Sequence, residues 1–303
     1  MANSLGAERR NPRIRRIGIL GAKCSHTHLA FLDYCKDHED YLTSFFETKA
    51  GMVAGSVFDN LGSSVAGSHK IKSDCALIPG HNSSEKCFFE EVSPLLLKNG
   101  VYVVDLTRKY IKHSLLVNKQ VNQISEIQKI ITNRHCHLQT KTWRGKHRLN
   151  EWEETASSSE AAKKLHEDEY IKYAVIGTEE AAREYSLKIL ESSIEEPNNY
   201  TSFFVISNRE RCLKDNRYIL YSFPAKNTEE RSKIEERIIE FHFTICASWH
   251  TKQEGGHYFF QLYVGEDEKK VISFDSQMEQ EYKGFRRIGR LNKNIADYAK
   301  SSP

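Results

Sequence analysis

The chain has 303 residues, enough for one large two-lobed unit or for two domains, and two domains is the better expectation. Hydrophobic residues make up 39% and charged residues 28%, a balance that argues against a disordered or membrane-embedded protein. The 44 Lys and Arg residues nearly balance the 41 Asp and Glu residues, so no strong overall charge favours nucleic acid as a partner.

The arginine-rich segment 1–13 is predicted to be a solvated basic tail. No apolar run approaches the ~20 residues that span a bilayer, and the N-terminus lacks the apolar core of a secretion signal. We therefore expect a cytoplasmic protein that makes no membrane contact. The cysteines are odd in number and lack CxxC spacing, which favours free thiols over a disulfide framework.

Two strand–turn–helix units are predicted in the first hundred residues. The first combines a buried strand at Arg15–Leu20, a turn at Gly21 and a helix with Ser25 as its N-cap. The second combines a strand at 75–79, a polar turn and a helix at 85–98. A glycine turn before a helix presents backbone N–H groups to an anionic ligand.

The middle of the chain continues this alternation. Ser157 and Glu160, at capping-box spacing, predict the start of a helix. A further helix is predicted at 179–185, and strands are predicted at 101–104, 110–117, 129–132, 173–177 and 201–207. Strands that alternate with helices predict a mostly parallel sheet in each of two lobes.

The pattern restarts after a charged stretch at 208–216. Strands are predicted at 217–223, 243–248, 258–264 and 286–289, with helices at 228–241 and near 276–282. The resulting β-α-β-β-α-β order is that of a ferredoxin-like module. The domain boundary is expected within the charged stretch.

Several short motifs carry a resemblance to a known family. The first turn holds Ser25, Thr27 and His28 in the order Ser-x-Thr-His, and a later turn holds Ser157 and Ser158 before a Glu-Ala-Ala sequence. The first is similar to the glycine-rich opening of prephenate dehydratases, whose core reads Ser-aromatic-Ser/Thr-His. The second is similar to the Ser-Thr-x-x-Ala-Ala turn of that family.

The turn after the second predicted strand departs from the family motif at one position. Asn82 and Ser83 match the last two residues of the motif Pro-x-Glu-Asn-Ser, and His81 stands at the glutamate. The resemblance therefore implies that one carboxylate has been replaced at this turn.

The last motif of the first domain is the most specific of the set. Asn199, Thr201 and Phe203 match the family motif Asn-x-Thr-Arg-Phe, and Ser202 stands at the arginine. A serine hydroxyl cannot replace a planar two-pronged donor to a carboxylate, so this exchange predicts weaker binding of a dianion.

The resemblance implies a fold and an activity. The fold is α/β, with a bilobal domain of the type II periplasmic-binding-protein kind at 14–208 and a ferredoxin-like ACT regulatory domain at 216–303. The activity is that of a carbon–oxygen lyase that decarboxylates and dehydrates prephenate or a related ring acid. The pathway is aromatic amino acid or specialised metabolite biosynthesis. No cofactor and no metal are implied, and a homodimer or homotetramer is expected.

Within that fold, the resemblance assigns roles to particular side chains. Thr201 is the catalytic candidate, placed to hydrogen-bond the departing hydroxyl of a prephenate-like dianion. The substrate-binding candidates are Ser25, Thr27, His28, His81, Asn82, Ser83, Ser157, Ser158, Asn199 and Phe203.

Three alternatives stay open from the sequence. The altered motifs permit a relative that removes carbon dioxide without expelling the hydroxyl, or a small-molecule-binding pseudoenzyme on the same fold. They also permit a metal site, because Cys and His residues are typical zinc ligands and several map to turns expected to line the cleft. These residues are Cys24, His26, His28, His81, His135, Cys136 and His137.

Overall fold

The computed structural model describes residues 15–20, 23–37, 41–47, 75–85, 87–88, 92–165, 167–210, 217–251 and 256–295. The predicted basic tail and the predicted turn residue Gly21 lie outside the described residues. Among the described helices, none combines the length and the apolar character needed to cross a membrane.

The elements of the first 207 residues are as follows. They are β1 (Arg15–Leu20), α1 (His26–Asp37), β2 (Tyr41–Glu47), β3 (Cys75–Asn82), β4 (Cys87–Phe88), α2 (Ser93–Leu96), β5 (Tyr102–Tyr110), β6 (Ser114–Val117), β7 (Lys129–Thr132), α3 (Arg134–Leu138), α4 (Lys141–His147), β8 (Trp152–Glu154), α5 (Ser158–Lys164), β9 (Tyr173–Gly177), α6 (Glu179–Glu184), β10 (Lys188–Ser192) and β11 (Tyr200–Ser207).

These strands form two sheets, one in each lobe. The first has the order β2-β1-β3-β11-β5, with β4 paired to β3, and the second has the order β10-β6-β9-β7-β8. The chain passes from the first lobe to the second between β5 and β6, and it returns between β10 and β11. This two-crossing order is that of a type II bilobal binding protein, so the predicted α/β fold class is confirmed.

The prediction of a mostly parallel sheet in each lobe is wrong, because both sheets are mixed. β1 pairs in parallel with β2 and β3, but β11 runs antiparallel to both β3 and β5. In the second sheet, β6 runs antiparallel to both β9 and β10. In each lobe a strand next to a crossing therefore enters the sheet in the reverse direction, which an alternation of strands and helices does not reveal.

The helix predicted at 85–98 is also wrong. Phe88 pairs with His81 across the short β4, and a helix begins only at Ser93, with Pro94 in its first turn. Proline lacks the N–H that a helix interior requires and is tolerated only in the first turn. Val92, Leu95 and Leu96 of this segment are buried in the core, whereas the side chains of Phe88 and Phe89 lie outside the described residues.

The remainder of the chain forms the predicted β-α-β-β-α-β order. Its elements are β12 (Tyr218–Pro224), α7 (Thr228–Glu240), β13 (Thr244–Thr251), β14 (His257–Tyr263), α8 (Glu268–Glu281) and β15 (Arg286–Leu291). They form a fully antiparallel sheet with the order β13-β14-β12-β15. Helix α8 begins well before the predicted 276, because the side chain of Asp267 accepts from the Lys270 N–H and caps it there.

This C-terminal module packs directly on the first-lobe sheet. A single buried cluster contains Phe204 and Leu106 of the lobe and Trp249 and Ile288 of the module. A Cβ atom at Gly289 of β15 would overlap the backbone of Val103 in β5. The two backbones therefore approach at a distance that only glycine permits.

Candidate active site

The predicted catalytic residue, Thr201, is buried near the start of β11 and is bound by Asn82 at the end of β3. Asn82 Nδ2 donates to Thr201 Oγ1 at 3.0 Å, to Asn199 Oδ1 at 2.9 Å and to the Tyr200 carbonyl at 3.1 Å. Thr201 therefore lies in a polar network where two interior strands of the first-lobe sheet meet, at the end of β3 and the start of β11.

The orientation of the Asn82 amide is determined by its other contacts. Its Oδ1 accepts from the backbone N–H groups of Ser84 and Glu85, at 2.9 and 3.0 Å. Backbone N–H groups can only donate, so the amide nitrogen must face Thr201. Because Asn82 donates to the Thr201 oxygen, the hydroxyl hydrogen of Thr201 remains available for a different acceptor.

Ser83 and Asn199 complete the junction. Ser83 Oγ donates to the Asn198 carbonyl at 2.8 Å and accepts from the Tyr200 N–H at 2.9 Å. Asn199 Nδ2 donates to Gln139 Oε1 at 3.1 Å. The structure brings Asn82, Ser83 and Asn199 together near Thr201. Asn82 binds both Asn199 and the Thr201 hydroxyl, and Ser83 binds the backbone on either side of Asn199.

A β-bulge in β3 decides which side chains share the face of Thr201. Thr201 pairs with Asn82 and Ser202 with His81, but Phe203 pairs with Pro79, so Gly80 is the extra residue. A Cβ at Gly80 would lie 2.5 Å from the Phe204 ring, which explains the glycine. The bulge reverses the alternation of side chains and turns Asn82 toward Thr201.

His81 and Ser202 therefore occupy the opposite face of the sheet, toward the C-terminal module. The His81 ring lies 5.3 Å from the Trp249 ring, centroid to centroid, and both side chains are buried. Burial lowers the pKa of His81 to about 4, against a smaller opposing effect of Glu85. The structure thus separates His81, a predicted binding residue, from Thr201.

Charged residues lie close to His81 and Ser202, the two positions that differ from the family motifs. Arg108 of β5 pairs directly with Ser202, and cross-strand partners share a face of the sheet. Lys109 pairs with Thr201 on the other face and forms a 2.5 Å ion pair with Asp33 of α1. Glu85 supplies a carboxylate four residues after His81.

The lobes contact each other through hydrogen bonds across the cleft. Glu85 Oε1 accepts from Gln139 Nε2 at 2.8 Å, and His135 Nδ1 lies 3.1 Å from Glu85 Oε2. Elsewhere the Thr178 hydroxyl donates to the Cys24 carbonyl at 2.9 Å. The cleft is therefore closed around Thr201 in this structure.

A second cluster, of His26, His113 and Cys136, adjoins this network. The His113 Nε2 atom lies 3.0 Å from Gln139 Oε1, and its Nδ1 lies 3.3 Å from His26 Nε2. Burial is the first cause that lowers the pKa of both histidines. Burial raises the pKa of the Cys136 thiol to about 12, although hydrogen bonds to Thr132 and Ser158 oppose the rise.

The remaining predicted residues fall into three environments. The Ser25 and Ser157 side chains accept from backbone N–H groups at the starts of α1 and α5, and both predicted N-caps are confirmed. His28 Nδ1 accepts from the Cys24 N–H at 3.1 Å, Thr27 is buried in α1, and Ser158 contacts Cys136. Phe203 packs in the lobe core beneath α1, away from the cleft.

The residues of the metal alternative are only partly brought together. His26 and Cys136 lie close to each other, and His113 joins them. His81 faces Trp249, His135 pairs with Glu85, and His137 stacks on Trp152 at 3.8 Å between ring centroids.

Sequence reasoning missed several residues of the site, namely Glu85, Lys109, His113, Gln139 and Thr178. His113 precedes the apolar run of β6 and is fully buried. A histidine next to a buried apolar strand is a sequence signal that can identify a site residue. Gln139 and Thr178 follow ordinary helix and strand ends. Nothing in the sequence marks them, because their partners come from the other lobe.

The sequence and the fold of this chain are similar to those of known proteins. The prephenate dehydratase family model matches residues 17–211. The chain belongs to the prephenate dehydratase family. Two curated members of the family illustrate how far the match extends. The prephenate dehydratase of Bacillus subtilis (strain 168) is 26% identical over 261 residues, covering 81% of this chain and 86% of that protein.

The second curated relative has a longer chain. The bifunctional chorismate mutase/prephenate dehydratase of Escherichia coli (strain K12) is 26% identical over 219 residues, or 72% of this chain. This chain spans about half of that relative, 52% of its length. Among solved structures, a prephenate dehydratase from Arthrobacter aurescens in complex with L-Phe superposes with a TM-score of 0.73, at 17% identity, over 95% of this chain and 93% of that one.

Proposed function

We propose that this protein decarboxylates and dehydrates prephenate, or a closely related ring acid, and that Thr201 donates the proton taken up by the departing hydroxyl. The observation that carries the proposal is the Asn82 amide, which donates to the Thr201 oxygen at 3.0 Å and leaves the hydroxyl hydrogen to donate. Family membership supports the substrate class.

The reaction requires no covalent bond between the protein and its substrate. The bond between the ring and its carboxylate breaks, and the electron pair makes the ring aromatic. The carboxylate carbon leaves as carbon dioxide. The bond between the ring and the hydroxyl oxygen breaks, and that oxygen takes the Thr201 proton and leaves as water, while solvent returns a proton to the Thr201 oxygen. Placement of the ring and one proton donor are therefore sufficient, and general acid catalysis typically contributes 10²–10⁴-fold.

Charge on the face of Thr201 supports binding of a dianion there. Lys109 lies opposite Thr201, and its charge contributes, after burial and His113, to the lowered pKa of His26. The Ser25 and Ser157 oxygens accept backbone hydrogen bonds as helix caps, which leaves their hydroxyl hydrogens able to donate to a carboxylate.

The test is to incubate the purified chain with prephenate and identify products by mass spectrometry, with Thr201→Ala alongside. We expect phenylpyruvate from the wild type and a loss of about 100-fold or more in the variant. Thr201→Ala should stay folded, because both Asn82 Nδ2 hydrogens keep acceptors at Asn199 and Tyr200.

The matched control is Ser222→Ala, which removes another fully buried hydroxyl group, in the C-terminal module. Its turnover should equal that of the wild type. A product that retains the hydroxyl would replace the proposal with a decarboxylase. Unchanged prephenate with wild-type protein would contradict it and favour a binding protein.

The domain division at 208–216 and the oligomeric state also belong to this proposal. We propose an ACT-type regulatory role for the C-terminal module and a homodimer or homotetramer in solution. The L-Phe complex of the Arthrobacter aurescens structure supports phenylalanine as the first ligand to try. Light scattering with and without phenylalanine tests both points.

A further inference from the structure

Three potential metal ligands converge in the cleft at a point that the proposed dehydration does not use. One ligand atom from each of His26, His113 and Cys136 lies within 4.8 Å of the others. His26 begins α1 of the first lobe, His113 lies in the first crossing between the lobes, and Cys136 lies on α3 of the second lobe. The three side chains therefore come from three separate parts of the fold.

The distance between the two imidazole nitrogens matches that between two ligands on one tetrahedral ion. Zinc binds imidazole nitrogen at ~2.0–2.1 Å, so two such nitrogens on one ion are separated by about 3.3 Å. His26 Nε2 and His113 Nδ1 are 3.3 Å apart. A zinc-bound sulfur would lie about 3.6 Å from each nitrogen. The Cys136 sulfur lies within 4.8 Å of both nitrogens, so it reaches that distance by a shift of at most about 1.2 Å.

The outer contacts of His113 set its ring in the form that a metal requires. Gln139 Nε2 donates to Glu85, so Gln139 Oε1 faces His113 and accepts from its Nε2–H at 3.0 Å. A neutral ring with a proton on Nε2 has a lone pair on Nδ1, directed at His26. Metal-binding histidines usually have their second nitrogen held by such an acceptor.

We propose that His26, His113 and Cys136 form a binding site for a zinc-class transition metal ion, with the fourth position left for water or an anionic group. Two imidazoles and a thiolate favour zinc or cobalt over magnesium and calcium, which prefer oxygen ligands. Because the ligands come from both lobes, a bound ion joins the lobes in the closed form. This site is independent of whether the chain dehydrates prephenate.

The test is a Co²⁺ titration of the full chain after treatment with a chelator, followed by absorption spectroscopy. We expect one equivalent of cobalt, with the near-ultraviolet charge-transfer band of a cobalt–thiolate bond. We also expect one equivalent of Zn²⁺ to displace it and to raise the unfolding temperature. Absence of a stoichiometric cobalt site in the wild type would overturn the proposal.

Two variants locate the site. Cys136→Ser should abolish the thiolate band, and its hydroxyl can keep the contacts with Thr132 and Ser158. His26→Phe keeps a ring of similar size and removes the nitrogen. Since loss of outer-shell partners alone typically costs 10–100-fold in metal affinity, loss of a ligand should cost at least about 100-fold. Circular dichroism confirms that each variant is folded.

The matched controls are Cys246→Ser and His137→Gln, which remove a thiol and an imidazole outside the cluster. Both should bind cobalt as the wild type does. Equal loss in a control and its partner variant, or full binding by Cys136→Ser, would overturn the assignment. The readout of this test is metal binding and not turnover of prephenate. The result can therefore be interpreted whether or not the chain has dehydratase activity.

Discussion

At the junction of β3 and β11, the two faces of the first-lobe sheet carry different kinds of contact. The cleft face holds Asn82 and Thr201, joined by a 3.0 Å hydrogen bond within a polar network. The module face holds His81 and Ser202 near the ring of Trp249. Neighbours in the sequence therefore serve two different sites, because side chains alternate across a strand.

The altered positions of the family motifs lie on only one of these two faces. His81 and Ser202 are the two departures at this junction, and both lie on the module face, away from Thr201. Arg108 lies beside Ser202 on that same face. The replacement of the motif arginine by Ser202 therefore alters the surface between lobe and module. By contrast, Asn82, Asn199 and Thr201 on the cleft side match the family motifs.

The largest effect is expected on the cleft face, from Asn82→Asp. The new oxygen would face Asn199 Oδ1 and the Tyr200 carbonyl, which are both acceptors, in a fully buried site. Such a buried charge should lower the free energy of unfolding by about 3 kcal/mol. Turnover should also fall, because the Thr201 hydroxyl would donate to the carboxylate instead of to substrate.

Urea unfolding measures the stability effect, and Asn198→Asp, in the segment just before β11, is the control. Asn198 is exposed, so the same exchange there should change stability by less than about 0.5 kcal/mol. A stable Asn82→Asp variant would show that the amide orientation is not the one described.

The next largest effect is expected on the module face, from Gly289→Ala. Its methyl group would overlap the backbone of Val103, so β15 would have to move away from β5. Overpacking of this kind typically costs about 1–3 kcal/mol. Gly145→Ala has open space and is the control. Thermal unfolding should show a lower midpoint for Gly289→Ala alone, and equal midpoints would contradict the close packing.

The effect that is smallest near neutral pH, and that grows only on acidification, is a pH dependence on the module face. The pKa of His81 falls from about 6.5 when unfolded to about 4 when folded, because of burial and despite the opposing charge of Glu85. Between these two values the unfolded chain binds the proton and the folded chain does not. Stability should therefore fall as pH decreases from about 6.5 to 4, by at most about 3 kcal/mol.

His81→Gln should reduce this dependence, measured as the free energy of urea unfolding at a series of pH values. His242→Gln removes an exposed histidine and serves as the control. Identical pH profiles for the wild type and His81→Gln would mean that His81 accepts a proton in the folded chain.

Local sequence signals predicted much of the fold. The helix caps at Ser25 and Ser157 and the order of the C-terminal module follow from short-range capping and periodicity. Pro94 is a local signal against a continuous helix at 85–98, because proline is tolerated only in the first turn. The reversed direction of β11 had no local signal, because it depends on the return crossing between lobes.

The site was predictable only where one segment carries the information. Thr201 and Asn82 lie in motifs and were found, but the grouping of side chains on each face was not. It depends on a bulge at Gly80, where the Phe204 ring of another strand leaves no space for a side chain. Gln139 and Glu85 bind each other across the cleft, a pairing that neither segment encodes alone.

The most direct test of the division between the two faces compares kcat/KM for prephenate in Thr201→Ala and Ser202→Ala. These are adjacent residues of β11, both fully or almost fully buried, and both variants remove a hydroxyl. We predict a loss of about 100-fold or more for Thr201→Ala and a change of less than about threefold for Ser202→Ala. Equal losses in the two variants would contradict the division.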